Sequence, residues 1–468
     1  MFVKRFFEPA IAQASYMIGC QRTGEAVVVD ANRDIDQYVA VAAQEGLRIA
    51  FVTETHIHAD YLSGSRELAQ RTGASLCLSD EGDADWKYQF PHDRKLKDGD
   101  RITIGNVRLD VVHTPGHTPE HISFLVTDGA AADRPIAALT GDFIFVGDVG
   151  RPDLLERAAN IKGTMEKGAR VLWASLQKFA SQDEWLQIWP GHGAGSACGK
   201  GISAIPSSTL GYERRFNWAY GCKSEAEFVD RVLAGQPEPP KYFATMKRLN
   251  RDLGGPEPGP EGAIAFGYRP TPEEVMATNS LVIDTRPSHE FAASHRHGAI
   301  NIPLNGSFLT WAGWLIPYDR DFYLFTDRED EVRRQLSLIG LHRIGGVMPT
   351  GAACGGGEIP QITAKDAVAR IQGATLVDVR SANEWATGHI PGAIHIPLGY
   401  LSERLSTIPA DRPIVVQCQS GGRSAIAASL LARAGRRDVT NLSGGITAWA
   451  AAGLPIDTEA HAAEATRS

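Results

Sequence analysis

Thr55-His56-Ile57-His58-Ala59-Asp60 sets two imidazoles and a carboxylate directly behind the apolar run 47–53. A buried strand ending in such a cluster delivers it to a sheet edge, the usual place for a site in a layered α/β fold. Side chains alternate along extended backbone, so His56, His58 and Asp60 are expected on one side. Ala26-Val27-Val28-Val29-Asp30 reads as a neighbouring buried strand, 35–44 and 65–70 as helices, and 76–78, 102–112, 122–126 and 136–139 as further strands. Three later turns add polar groups behind apolar runs: His117 in Thr114-Pro115-Gly116-His117-Thr118, Asp142 in Thr140-Gly141-Asp142, and His192 in Pro190-Gly191-His192-Gly193. A divalent metal needs lone pairs converging on one point, and these residue types supply them.

At 468 residues the chain has room for about two to four domains. A composition of 43% hydrophobic and 22% charged residues is that of a globular protein. The net charge of -8 argues against nucleic acid as a partner, since phosphate binding needs a basic face. The six cysteines (Cys20, Cys77, Cys198, Cys222, Cys354 and Cys418) are scattered and form no disulfide framework. They read as reduced thiols, with Cys20, Cys77 and Cys222 assigned to packing. Residues 1–14 lack a signal-peptide apolar core, and no stretch reaches membrane-spanning length. The expectation is a cytoplasmic protein with no membrane partner, working as a homo-oligomer.

Two Pro/Gly-rich stretches, 235–240 and 254–260, cannot hold a helix or central strand and place a boundary near 252–263. An internal repeat follows. Leu281-Val282-Ile283-Asp284-Thr285-Arg286 is echoed by Leu376-Val377-Asp378-Val379-Arg380, Glu290 by Glu384, His295 by His389, and Gly298-Ala299-Ile300 by Gly392-Ala393-Ile394. Copies this long are domains of one fold rather than solenoid repeats. The expected domains are 1–252, 264–350 and 358–458, with the Gly-rich joint 351–357 as linker.

In the last domain the buried strand 413–417 runs into Cys418-Gln419-Ser420-Gly421-Gly422-Arg423-Ser424 and then a helix. A thiolate at a helix N-terminus faces unpaired N–H groups and the positive end of the dipole. Favourable geometry there is worth up to ~2 kcal/mol, or about 1.5 pKa units. Rhodanese sulfurtransferases and some phosphatases use such a loop. Asp378-Val379-Arg380, Glu384, His389-Ile390-Pro391-Gly392-Ala393 and Ile396-Pro397 resemble rhodanese, and the loop from Cys418 to Arg423 has the length of its sulfur-transferring members. The resemblance implies that Cys418 carries a persulfide sulfur. Arg423 would stabilise an anion beside it, and the Gly421 and Gly422 amides would face substrate. The central copy has Thr326-Asp327-Arg328-Glu329-Asp330 at the matching place, without a cysteine. It resembles an inactive rhodanese-like domain with a structural role.

The ordered set His-x-His-x-Asp, Pro-Gly-His, Gly-Asp and Pro-Gly-His resembles the metallo-β-lactamase superfamily across the first half of the chain, which implies an αββα sandwich. The zinc hydrolases of that superfamily usually carry a His after the Asp of the first motif, where this chain has Tyr61. The set that remains, His56, His117 and Asp142, suits non-haem iron with open positions. With the stretch from Gly141-Asp142 to Val149-Gly150-Arg151-Pro152-Asp153, it resembles the persulfide dioxygenase branch. The resemblance implies one Fe(2+) per chain and oxidation by O2 of glutathione persulfide or another small-thiol persulfide to sulfite. His58, Asp60 and His192 would orient ligands or water. Arg151 either forks onto a substrate carboxylate or pairs with Asp153. Cys198 resembles a cysteine near the iron in dioxygenase–rhodanese fusions, and both a sulfur relay and simple packing are open for it. The leading expectation is a persulfide dioxygenase joined to a sulfurtransferase that interconverts persulfide, sulfite and thiosulfate. The alternatives are a zinc-dependent thioester hydrolase of the glyoxalase II kind fused to rhodanese, and a non-enzymatic persulfide sensor.

Overall fold

The computed structural model describes residues 1–154, 156, 163–255 and 269–458; most of the expected 252–263 boundary lies outside them. The chain forms two compact units, one of Met1–Pro258 with Arg334–Gly340, the other of Gly259–Arg333 with Leu341–Ser468.

The first unit is built on two six-stranded sheets. In one, β1 (Phe2–Glu8), β2 (Gln13–Cys20), β3 (Glu25–Val29), β4 (Arg48–Thr53), β5 (Ser75–Ser79) and β6 (Arg94–Leu96) lie in chain order. In the other, β7 (Arg101–Ile104), β8 (Val107–His113), β9 (Ile122–Asp128), β10 (Ala137–Gly141), β11 (Gln187–Pro190) and β12 (Ser208–Thr209) do the same. Alternation along the strands gives each sheet an inner and an outer apolar face. The inner faces share one core, in which Tyr16, Ile18, Val27 and Val29 pack with Leu109, Phe124, Val126 and Leu139. The outer face of the first sheet packs Met17, Val28 and Val52 against Tyr38 and Leu68 of the helices Asp36–Gln44 and Ser65–Thr72. The outer face of the second packs Leu125 and Ile188 against helices Thr164–Phe179 and Glu225–Leu233. The result is the expected αββα sandwich.

The strands read from apolar runs appear within a residue or two of their expected places. The β1–β2 hairpin was not legible: β1 alternates poorly at an exposed edge, and β2 buries polar Gln13 and Ser15.

The second unit carries two parallel sheets. A four-stranded one runs β15 (Ala299–Asn301), β13 (Leu281–Asp284), β16 (Phe322–Phe325), β17 (Ile344–Met348). A five-stranded one runs β19 (Gln361–Ile362), β23 (Val439–Leu442), β22 (Ile414–Gln417), β20 (Thr375–Asp378), β21 (Ile394–His395). The matching strands β13 and β20 occupy matching interior positions. The joint at 351–357, expected to be plain linker, is partly ordered: β18 (Gly356–Gly357) pairs antiparallel with β14 (His295–Arg296). Among the described residues no helix is long and apolar enough to cross a membrane, and all six cysteines are free.

Phe124 sits at the centre of the inter-sheet core, fully buried. Phe124→Ala leaves a cavity there and is expected to cost about 3–5 kcal/mol, read as a lowered urea midpoint for the first unfolding transition.

Candidate functional site

Backbone bonds between strand ends bring the polar segments of the first unit together. The Ile122 N–H donates to Thr55 O at 2.8 Å, Gly191 N–H to Gly141 O at 2.8 Å, and Ala14 N–H to Gly191 O at 2.7 Å. The β10–β11 register shifts between Leu139 and Gly141, which turns Asp142 toward the Pro190-Gly191-His192 turn. Gly141 has φ +49, and a Cβ there would stand 2.4 Å from Thr55 Oγ1, so only glycine fits.

The imidazoles are oriented by what holds their second nitrogen. His117 Nδ1–H donates to Arg151 O at 2.9 Å, and His192 Nδ1–H to Ala12 O at 3.1 Å. The Thr55 hydroxyl donates to Asp30 at 3.0 Å, so its oxygen accepts His56 Nδ1–H at 3.0 Å. In each ring Nε2 is left with a bare lone pair. Those nitrogens face carboxylates. His56 and His117 Nε2 lie 3.9 and 3.4 Å from Asp142 Oδ2, and His192 Nε2 lies 3.4 Å from Asp142 Oδ1 and 3.2 Å from Asp60 Oδ2.

A lone pair facing a carboxylate oxygen has no proton between them to share. None of the four carboxylate oxygens of Asp60 and Asp142 has a hydrogen-bond partner, and all are buried. Buried unpaired anions are costly, and a divalent cation supplies the missing partner. Ligand atoms of His56, His117 and Asp142 lie within 4.8 Å of one another, as do those of Asp60, His192 and Cys198. The donor set fits a metal ion. Burial holds His56 and His117 below the ordinary imidazole range, the direction that favours the neutral ring a metal needs.

The strand-end geometry expected for the first motif does not hold, because 54–60 is irregular loop. His56 turns to Asp142 and Asp60 to His192, whereas His58 Nε2 turns away to Asp30 at 3.1 Å. Burial acts against a charge on His58, but Asp30, with Glu54 and Asp60, raises it to about 9. Tyr61 is fully buried and its hydroxyl donates to Asp30 O at 3.3 Å. Arg151 is a correction. Its guanidinium is fully buried and forks onto Asp153 through Nε and Nη2, both at 2.8 Å, with Nη1 on Ala197 O at 3.0 Å. The internal pair wins over the substrate carboxylate. Cys198 lies beside Asp60 and His192, and burial, then the charges of Asp60 and Asp142, push its thiol well up.

Two organising residues were missed from sequence. Asp30, at φ +59 behind β3, accepts the Thr55 N–H at 2.7 Å, the Thr55 hydroxyl and His58. His121 Nε2 accepts the Asp142 N–H at 3.1 Å, leaving Nδ1–H for Thr114 Oγ1 at 2.9 Å. A polar residue closing the apolar run 26–29 was the available signal for Asp30. His121 had only its proximity to His117.

In the second unit Cys418 is buried at the end of β22. Its Sγ accepts the Gly421 N–H at 3.1 Å and the Ser424 hydroxyl at 3.4 Å. Gly421 has φ +100, a conformation open to glycine, and it starts the helix Gly422–Arg433. Arg423, expected to face the sulfur, forks onto Glu384 at 2.7 and 2.5 Å, while its charge still bears on Cys418. Glu384 Oε2 also accepts the Ser381 N–H at 3.0 Å and hydroxyl at 2.8 Å. At the matching place behind β16, Asp327 accepts the Thr350 N–H at 3.0 Å, and Glu329 pairs with Arg333 at 2.8 Å and with Arg269 at 2.5 Å. That loop is tied by its own side chains and carries no thiol.

The family profile of the metallo-beta-lactamase superfamily matches residues 9–192, and that of the rhodanese-like domain matches residues 363–452. A crystal structure of a metallo-beta-lactamase from Staphylococcus aureus subsp. aureus COL is 42% identical, with a TM-score of 0.67, over 75% of this chain and 98% of that one. The mitochondrial persulfide dioxygenase ETHE1 of Bos taurus is 29% identical over 245 residues, 51% of this chain and 84% of that protein. A sulfurtransferase of Allochromatium vinosum is 42% identical over 99 residues, 21% of this chain and 92% of that protein. The chain spans 60–62% of the length of the first curated relatives it matches.

Burial acts upward on Glu384, but Arg423 and the Ser381 bonds outweigh it and bring the carboxyl from 4.5 down to about 2. Its contribution to stability is therefore present above pH 4.5 and lost as pH falls through about 2. Glu384→Gln is expected to lower the thermal midpoint of the full chain at pH 7. The gap to wild type should narrow between pH 4.5 and 3 in the same measurement.

Proposed function

This chain belongs to the metallo-beta-lactamase superfamily and ends in a rhodanese domain, and on that premise we propose that it is a persulfide dioxygenase joined to a thiosulfate sulfurtransferase. The first reaction is RSSH + O2 + H2O → RSH + SO3²⁻ + 2 H⁺. The observation that carries this reading is the set of His56 and His117 Nε2 lone pairs with Asp142 Oδ2, at 3.9 and 3.4 Å. Two histidines and one carboxylate suit iron(II), which supplies the place where O2 and the sulfur are activated. The residues around it hold the geometry. Thr55 and the Arg151 carbonyl fix the two imidazoles, His121 holds the Asp142 backbone, and burial of all three excludes bulk water. Tyr61 stands where the zinc hydrolases usually carry a His, and its hydroxyl is engaged with Asp30 O at 3.3 Å.

In the second reaction the Cys418 thiolate attacks the outer sulfur of thiosulfate. The S–S bond of thiosulfate breaks, a Cys418–S–S⁻ bond forms, and sulfite leaves, with no net electron transfer. The Gly421 amide and Ser424 hydroxyl are placed to hold the sulfur anion through this exchange. The step is reversible, so sulfite from the first reaction can also be its acceptor. We read the central lobe, with no thiol behind β16, as an inactive relative of the last one.

A second reading, a zinc thioester hydrolase, draws on one observation: Asp60, His192 and Cys198 form another group able to hold a cation. Metal analysis separates the two. Protein grown with ample iron is expected to hold about one iron per chain and to lose most of it on His117→Ala, with oxygen uptake on a small-thiol persulfide falling at least a hundredfold, the loss typical when a metal site is broken (about 10–100-fold even for its supporting residues). Two zinc ions and thioesterase activity would overturn the dioxygenase reading. Cys418→Ser should abolish sulfur transfer from thiosulfate and leave oxygen uptake on an external persulfide within about twofold, because the two sites share no residue. Full transfer by that variant would place the carrier elsewhere.

A further inference from the structure

The stretch from Cys418 to Ser424 carries one cationic side chain, Arg423. Gln419 commits its amide to Thr447 Oγ1 at 3.0 Å. Cys418 Sγ accepts the Gly421 N–H at 3.1 Å and the Ser424 hydroxyl at 3.4 Å, both uncharged donors. A full counter-charge from this loop must therefore come from Arg423. Its guanidinium is engaged by Glu384: Nη1 donates to Oε2 at 2.7 Å and Nη2 to Oε1 at 2.5 Å. Glu384 is itself held in place, because it closes a reciprocal cap with Ser381 at the start of the helix Ala382–Ala386. Those bonds, with Arg423, bring its carboxyl down to about 2, so it is ionised at neutral pH.

Paired in this way, Arg423 acts on Cys418 as one end of an ion pair rather than as a lone cation. The consequence depends on the donor. Thiosulfate brings two negative charges to the Cys418 thiolate, and the Arg423–Glu384 pair sets no net charge against them. The persulfide of a small thiol brings one at most. Coulomb energy scales with the product of the charges, so an uncompensated site penalises the dianion about twice as strongly as the monoanion. The two side chains are 25% and 31% exposed, so solvent weakens this difference without abolishing it.

We propose that Glu384 is a positioning residue that sets the sulfur donor: by holding Arg423 it turns Cys418 away from dianionic thiosulfate and toward the persulfide of a small thiol. The proposal rests on the sulfurtransferase reading and names the donor class of that site. In the favoured step the Cys418 thiolate attacks the outer sulfur of RSSH. The S–S bond of the donor breaks, Cys418–S–SH forms, and RS⁻ leaves, with charge conserved and no net electron transfer.

The test loads the full chain with sulfur from two donors, thiosulfate and N-acetylcysteamine persulfide, whose body is uncharged. Oxygen is excluded so that the first reaction stays idle, and added sulfur on the Cys418 peptide is followed by mass spectrometry of quenched samples. Glu384→Gln keeps the shape of the pair and removes its negative charge. The rate constant for loading should rise about tenfold with thiosulfate, the least expected from a charge-assisted bond, and about threefold with the persulfide, the square root for half the charge. The preference for persulfide over thiosulfate thus falls about threefold, and that fall should shrink as salt rises from about 0.01 M to about 1 M. Arg423→Gln leaves Glu384 unopposed and should raise the same preference about threefold, which keeps the test valid if Glu384→Gln impairs folding. A purely structural role slows both donors alike and leaves the preference where it was. Equal factors for the two donors in both variants, or slower loading from thiosulfate in folded Glu384→Gln, overturn the proposal. No loading of Cys418 by either donor in wild type overturns the sulfurtransferase reading beneath it.

Discussion

Asp60 and Asp142 place four carboxylate oxygens in the interior of the first unit without a single hydrogen-bond donor. The sandwich around them is arranged to make that tolerable in only one way. Three imidazoles have their Nδ1 protons drawn off by Thr55, Arg151 O and Ala12 O, so each Nε2 lone pair points at an oxygen. Such an array is unfavourable without a cation at its centre and strongly favourable with one. The supporting bonds reach deep into both sheets. Asp30 closes β3 and grips the first motif, His121 grips Asp142, and the register shift in β10 aims it.

The second unit repeats one buried ion-pair arrangement in both of its parallel sheets. Asp284 and Arg286 form a buried fork with Nη2–Oδ2 at 2.7 Å, and Asp378 and Arg380 repeat it at 2.7 Å. Asn301 Nδ2 caps Arg286 O at 2.9 Å where His395 caps Arg380 O at 2.9 Å. These pairs orient the strand ends of both lobes. The difference lies in one loop. Behind β22, glycines let an amide turn onto a sulfur; behind β16, Asp327 and Glu329 turn outward to their own partners.

On this reading the two sites are chemically sequential. One yields sulfite and free thiol, and the other moves sulfane sulfur among sulfite, thiosulfate and thiols. Joining them in one chain would fix the two sites at one to one.

The sequence by itself determined the strand runs, the ordered histidine and aspartate turns, and the cysteine loop. Each of these is a local pattern: strand period, Pro-Gly turns, a Gly-rich loop at a helix start. It also placed Cys198 near the metal residues, through the short step from His192. What only the tertiary structure decided were pairings between distant segments. Arg151 found Asp153 and the interior instead of a ligand, His58 went to Asp30 while His56 went to Asp142, and Arg423 was captured by Glu384. Ion pairs and hydrogen bonds of this kind are chosen by which groups share a desolvated space, and spacing along the chain carries no record of that choice.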